Sequence, residues 1–552
     1  MANRRQAYHL LQCLTVASRP LRVEELAEIL ALDFDEAKGG IPELKEDWRW
    51  RDQQEALLST CSSLITVVDS GRDRVVQFSH FSVKEFLTSD RLAASVADVS
   101  YFHILPEPAH TLITKACLGI LLRSDKDVGG ADTTSNSPLA NYAAEHWMDH
   151  AQFGEVSIIV EDGMRRLFDL AKPHFVAWLK LYDLDRHWDS FVRQEWRMPM
   201  PRRSPLYYAS LCGFRDLVTH LVEKHPRHLN ARVGRNRSPL VAALRNKHFH
   251  IAELLYQRGA KLNIRGTKNF TPLLAASVDG SIDIAQWLLV HGGNANLPND
   301  NDETPLHYAV KNGQIELVRM LLRHGIIVNA KNKDKRTPLH LASEQGQDEI
   351  AQLLLRHGAD FTMQDLRHST PLHLASVSLT SARLLFQHSA HVKEQQHSYY
   401  DPEFDGGEAN PTAKTVQILL EHGADVTMRD DTRSTPLHLA SSNGSLKVAR
   451  LLIKHGADVN ARDRHLSTPL HLASSTECPE IVQLLIEHGA DMAARDRIQC
   501  TPLHLASSAK SPKIVRVLIK HGADVNALNW NRMMPLHLAL VEVSVNTWQS
   551  LS

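Results

Sequence analysis

The chain is 552 residues long, with 62 lysines and arginines against 63 aspartates and glutamates. A net charge this close to zero supplies no global field for a nucleic acid or a membrane surface, and a hydrophobic content of 43% is ordinary for a folded protein. No apolar run approaches the ~20 residues that a membrane span needs; the stretch 112–122 is short and carries Lys115. Arg4-Arg5 ahead of an apolar stretch mimics a signal peptide, but His9 and Gln12 interrupt it, and Ala7, Leu10, Leu11 and Leu14 fit one stripe of a helix instead. The six cysteines have no paired spacing. That points to reduced thiols and a cytoplasmic location, with the nucleus left open.

Along the first hundred residues the pattern predicts helices over 6–17, 23–32 and 53–63, then two β-rich segments, 64–69 and 75–79, around Gly71. Three helices and a two-stranded wing describe a small α+β winged-helix-like domain over 1–95. Such domains often read DNA, so charge decides. Residues 1–100 hold 12 basic and 16 acidic side chains, 12 − 16 = −4, and the third helix carries Glu55 and no basic residue. A DNA reader needs a basic face to neutralise phosphates, so no nucleic acid is expected as a partner.

Residues Arg19-Pro20-Leu21-Arg22, Cys61-Ser62-Ser63-Leu64 and above all Phe78-Ser79-His80-Phe81-Ser82-Val83-Lys84-Glu85-Phe86-Leu87 resemble the winged-helix segment that follows the NACHT ATPase module in fungal receptor-like (NLR-like) proteins. The resemblance implies a domain that relays nucleotide state to C-terminal repeats. The chain departs from that family where the motor would be. It has no G-x-x-x-x-G-K-[ST], hence no backbone cradle for phosphates. On this reading the phosphate loop would have to lie upstream of Met1, and the chain as written is not an enzyme and takes no cofactor.

Residues 96–203 read as a helical connector, with Tyr142, Trp147, Phe175, Trp178, Tyr182, Trp188 and Trp196 forming a packed layer and 125–138 a loop. His146-Trp147-Met148-Asp149-His150 places two histidines one helical turn apart, faintly like H-x-x-E-H. The glutamate is missing and a third ligand would have to come from elsewhere, so an interfacial helix is expected and no metal.

From Ser204 onward the sequence repeats. Units open at 204, 238, 271, 304, 337, 370, 435, 468, 501 and 534, with steps of 34, 33, 33, 33, 33, 65, 33, 33 and 33. A fixed period in this range marks a solenoid of stacked supersecondary units. In 337–369, Thr337 and Pro338 open a first helix, Gly346 ends it, 350–355 form a second apolar stripe, His357-Gly358 stop that, and 359–367 lead on as a finger. TPLHLA, the LL-x-x-G-A-D run and the period resemble ankyrin repeats, which makes the fold class mainly α: an ankyrin-repeat solenoid of about 11 units. One of these is a degenerate unit starting near 402 that bridges the 65-residue step, and the last, at 534, is truncated. The irregular stretch 391–413 is open to three readings: drift, a hinge or an extra binding loop. The histidines of T-P-L-H recur too regularly to be ligands and are assigned to structural hydrogen bonds.

The resemblance implies that partners dock on the side formed by finger tips and first helices, so the informative residues are those that vary between units. These are Asp302 and Glu303; Lys333, Lys335 and Arg336; Arg367 and His368; Arg433; His465; Arg497 and Ile498; and Trp530. The expectation is a non-enzymatic protein–protein interaction scaffold, the sensing part of an NLR-like receptor. A substrate adaptor for a ubiquitin ligase or kinase, or the C-terminal part of an ATPase, stays open beside it. Other proteins are the expected partners, with no membrane and no small-molecule substrate.

Overall fold

The computed structural model describes residues 2–34, 40–48, 52–61, 63–71, 73–123, 137–182, 204–233, 238–377 and 411–540. They fall into two compact units, residues 1–262 and 263–552. The composition changes at 204, yet the first repeat and the helix pair of the second belong to the N-terminal unit.

That unit opens on helix α1 (Ala2–Val16), strand β1 (Leu21–Arg22) and helix α2 (Val23–Leu30). The short pair β2 (Leu32–Asp33) and β3 (Glu43–Leu44) follows, then helix α3 (Gln53–Cys61). Strands β4 (Ile65–Ser70) and β5 (Asp73–Phe78) form the wing hairpin about Gly71, whose φ of 66° suits a residue without Cβ. The sheet order is β1-β5-β4, with Val67 opposite Val76. Three helices on a small sheet make a winged helix. Leu10, Leu21, Leu26, Ile29 and Leu57 are its fully buried core. Each contributes about 1.5–3 kcal/mol by leaving water.

Helix α4 (Phe81–Leu87) follows the wing; helices α5 (Pro106–Leu121) and α6 (Ala140–Ala151) form the connector and pack on each other, and α1 packs on α5. Polar ties lock winged helix to connector. Glu28 is 4% exposed, and its carboxylate accepts from the Ser137 hydroxyl at 2.7 Å and the Leu139 N–H at 2.9 Å, which caps the start of α6. Arg22 donates to the Pro138 carbonyl at 3.1 Å. Glu25, fully buried, accepts a bidentate pair from Arg19 at 2.7 and 2.9 Å. Burial works against its charge, but the guanidiniums of Arg19 and Arg22 win and hold its carboxyl below the usual range. The first repeat seats on the aromatic layer: Trp147 stacks on Phe214 at 5.4 Å, Phe175 meets Tyr208 at 5.6 Å, and Gln152 donates to the Cys212 carbonyl at 2.5 Å. Trp188 and Trp196 lie outside the described residues.

In the second unit each repeat is a helix pair and a finger. Inner helices run Pro272–Asp279, Pro305–Lys311, Pro338–Glu344, Pro371–Ala375, Pro436–Ser442, Pro469–Ser474 and Pro502–Ser508. Outer helices run Ile282–Val290, Ile315–Arg323, Asp348–Arg356, Pro411–Glu421, Leu446–Lys454, Pro479–Glu487 and Pro512–Lys520. Every inner helix opens on proline, whose missing N–H is not needed at a first turn. A buried leucine follows it in each, from Leu273 to Leu503. No helix among the described residues is long and apolar enough to cross a membrane.

The 65-residue step is resolved by what stacks on what. Helix Pro411–Glu421 packs against Asp348–Arg356 on one side and Leu446–Lys454 on the other. It therefore fills the outer position of the unit opened by Thr370, and the finger after it follows directly on the finger at 365–369, with Asp431 N–H on the Arg367 carbonyl at 2.9 Å. The described residues of 370–434 thus supply one inner helix, one outer helix and one finger to the stack. Residues 378–410, including the expected start near 402 and most of the irregular stretch, lie outside the described residues, as do 541–552 of the last unit.

Candidate protein-binding surface

The fingers are built by one turn repeated. Asp365 shows it: its Oδ1 accepts the N–H groups of Arg367 at 2.8 Å and Ser369 at 3.0 Å, and its own N–H donates to the Ser369 carbonyl at 3.0 Å. An aspartate or asparagine that folds its side chain onto the backbone two and four residues on is what makes such a turn close. Asn299, Asn332, Asp430, Asp463, Asp496 and Asn529 do the same. The third residue after each is left-handed: Asp302, Lys335, His368, Arg433, Leu466, Gln499 and Arg532 have φ between 54° and 62°.

Successive tips are joined by one backbone hydrogen bond each. The first is Asp300 N–H on the Lys268 carbonyl at 3.0 Å; the last is Trp530 N–H on the Ile498 carbonyl at 3.1 Å. The tips of the second unit therefore form a continuous ladder held by main chain, and its side chains are free to vary.

This geometry sorts the sequence candidates. Asp302, Lys333, Lys335, Arg367, His368, Arg433, His465, Arg497, Ile498 and Trp530 occupy the first three places after the turn residue, and all are exposed. Glu303 and Arg336 occupy the fourth place, which turns inward. Glu303 accepts from Asn299 at 3.2 Å, and burial, then Glu303, pushes the Tyr308 hydroxyl pKa up. Arg336 is paired with Glu344 at 3.0 Å and Asp365 at 3.5 Å. Both make contacts within the stack, and in four other units the same place holds Ser369, Ser434, Ser467 or Cys500, all buried. Exposed residues of the same ladder that sequence reasoning passed over include Arg462, Arg464 and Arg495. Their signal was the recurrence of Arg-Asp at one unit's spacing.

Beneath the ladder, buried histidines tie unit to unit. His340 Nδ1 accepts from the Thr337 N–H at 3.1 Å, which fixes the proton on Nε2, and Nε2 donates to the Ser369 carbonyl at 3.2 Å in the next finger. His307, His438, His471 and His504 repeat the arrangement to the carbonyl 29 residues on, and His373 does so across 61 residues to Ser434. Burial pushes all six down, His340 to about 4. These imidazoles are neutral ties with both nitrogens occupied.

His150 also has structural work. Tyr142, which accepts the Ser18 N–H at 3.2 Å, is 2.8 Å from His150 Nε2, and His150 Nδ1 is 2.9 Å from His110 Nδ1. Both ring nitrogens of His150 are engaged, and burial, then His110, pushes its pKa down to about 4. The six cysteines are free, and burial raises their pKa, Cys13 to about 12.

Family models match both parts of this architecture. Residues 1–98 match the family described as GPI inositol-deacylase, winged helix domain. Residues 272–365, 328–396 and 408–496 match ankyrin repeats, and 235–267 and 499–530 match the single ankyrin repeat. Azaphilone pigments biosynthesis cluster protein L of Monascus ruber is 32% identical over 265 residues, 46% of this chain. The match covers 54% of that protein, so the chain spans about half the length of this curated relative. The crystal structure of the human ASB11 ankyrin repeat domain is similar at 25% identity with a TM-score of 0.37, over 46% of this chain and 99% of that domain.

Proposed function

We propose that this chain, ankyrin repeats behind a winged-helix domain, is a non-enzymatic protein-binding scaffold whose docking surface is the fingertip ladder. One observation carries the reading. The main chain of the tips is bonded from unit to unit, while the side chains it presents differ in charge and size from one tip to the next. A rigid frame with variable exposed groups is how a repeat protein acquires a specific partner. The tips run from acidic at Asp300 and Asp302 to basic at Lys333 and Lys335, so the partner's charge must follow that order.

The finer reading is the sensing part of an NLR-like receptor. It is supported by the winged-helix match at 1–98 and by the fungal relative. The Glu28 and Arg22 ties support it as well, because they would carry a displacement of the connector into the winged helix.

Affinity capture from an extract of the source organism tests both readings, with the wild-type chain beside K333E/K335E. Both lysines are exposed, and neither makes a side-chain contact that holds the turn. Arg336 is left intact because it does. Loss of one or more captured proteins in the double variant is expected. Identical captures would overturn the ladder as the docking surface. If repeated captures contain no nucleotide-binding ATPase, the receptor role falls and the scaffold remains.

A further inference from the structure

The last tips of the ladder concentrate arginines and exposed apolar side chains. Arg462 and Arg495 precede the turn aspartates, and Arg464 and Arg497 follow them; all four are exposed. The aspartates themselves, Asp463 and Asp496, are 8% and 7% exposed, and each spends Oδ1 on two turn N–H groups. Among the described residues no carboxylate is in ion-pair contact with Arg464 or Arg497, whereas Arg336, nearer the start of the ladder, is held by two. Arg495 Nη1 donates to the Leu528 carbonyl of the next tip at 2.7 Å, and Arg429 Nη1 does likewise to Arg462 at 2.6 Å. Their guanidinium groups are thereby pinned along the ladder, with other N–H donors to spare.

Apolar side chains stand among these cations: Leu466 is 44% exposed, Ile498 55% and Trp530 72%. Ile498 and Trp530 are joined directly through their main chain. A large exposed aromatic beside unpaired arginines is the composition of a binding hot spot rather than of a solvated turn.

We infer that the tips from 462 to 532 bind an extended acidic peptide segment carrying a bulky apolar side chain, the carboxylates meeting Arg464 and Arg497 and the apolar group seating between Ile498 and Trp530. This deepens the ladder reading and rests on it. Arginine recognises carboxylates through paired N–H donors. Two of the three apolar groups are aliphatic and offer no face for stacking bases, which favours a peptide over a nucleic acid.

The test is fluorescence anisotropy with the full chain and a labelled peptide of glutamates flanking one central leucine. The same peptide with serine for leucine, single-stranded oligo-dT and phosphatidylserine vesicles serve as competitors. The leucine peptide is expected to bind more tightly than the serine peptide. R464E/R497E should weaken it about tenfold or more. W530A should bring the leucine peptide down to the serine peptide's affinity. Circular dichroism verifies that each variant is folded, and R464Q/R497Q replaces the charge reversal if that variant is not. Preference for oligo-dT or vesicles, or unchanged affinity in a folded arginine variant, overturns the inference. If captured partners are lost with K333E/K335E but kept with R464E/R497E, the docking surface stands and this assignment falls.

Discussion

Lowering the pH from 7.5 to 5.5 should loosen the solenoid at its histidine ties, and the amount can be worked out for one of them. His340 accepts the Thr337 N–H on Nδ1 and donates from Nε2 to Ser369. A second proton would set N–H against N–H in a dry site. Its pKa is therefore pushed from 6.5 to about 4, chiefly by burial. The sign follows from proton binding. Above pH 6.5 neither folded nor unfolded chain is protonated here, and nothing is lost. As pH falls through 6.5 the unfolded chain takes the proton and the folded chain does not, so stability falls until about pH 4, where the folded state also binds it. Between pH 7.5 and 5.5 this single residue costs about 1.3 kcal/mol, and the other five ties act in the same direction. Urea unfolding at the two pH values, on wild type and H340Q, measures it. The variant is less stable at pH 7.5 by about 1–3 kcal/mol for its lost hydrogen bonds, but it should lose about 1.3 kcal/mol less on acidification. Equal pH dependence in the two proteins would refute the reasoning.

Three further outcomes follow from the packing. Gly119→Ala would place a Cβ 2.6 Å from the Pro42 carbonyl oxygen, and it should destabilise the N-terminal unit by about 1–3 kcal/mol in thermal unfolding; an unchanged midpoint would mean that this contact is soft. Glu28→Ala strips the cap from α6 and leaves Ser137 and Leu139 without their acceptor. Hydrogen exchange at Leu139 should rise, with a loss of about 1–2 kcal/mol. Asp463→Ala removes the acceptor for two turn N–H groups and should raise exchange at His465 and Ser467 while leaving the tip at 365–369 as protected as before, because repeats contact mainly their neighbours.

The repeat architecture was legible because its signals are local and recur: in the second unit T-P-L opens each inner helix, His-Gly ends each outer one, and the period fixes the stacking. The 65-residue step is less legible for the same reason. Local pattern shows that Pro411–Glu421 is an outer helix but not which inner helix it joins; that is a tertiary choice, visible only from its contact with Asp348–Arg356. Among the candidate residues, sequence variation picked out tips that are exposed, from Asp302 to Trp530. It could not separate Lys335 from Arg336, neighbours of like charge. The left-handed turn at Lys335 points one outward and the other into Glu344 and Asp365. In the winged helix the strands were legible from β-branched runs about Gly71. The buried ties of Glu28 and Arg22 were not, since nothing in the alternation of residues 21–30 says that a carboxylate will cap a helix more than a hundred residues away.

The most direct test of the ladder as docking surface is site-specific photo-crosslinking in an extract of the source organism. A photoreactive residue replaces Arg367 on a fingertip in one protein and Arg450 on an outer helix in another; both side chains are exposed. The account predicts a light-dependent, higher-mass adduct from position 367 and none from 450. Adducts from 450 with none from 367 would contradict it and move the binding surface to the outer helices.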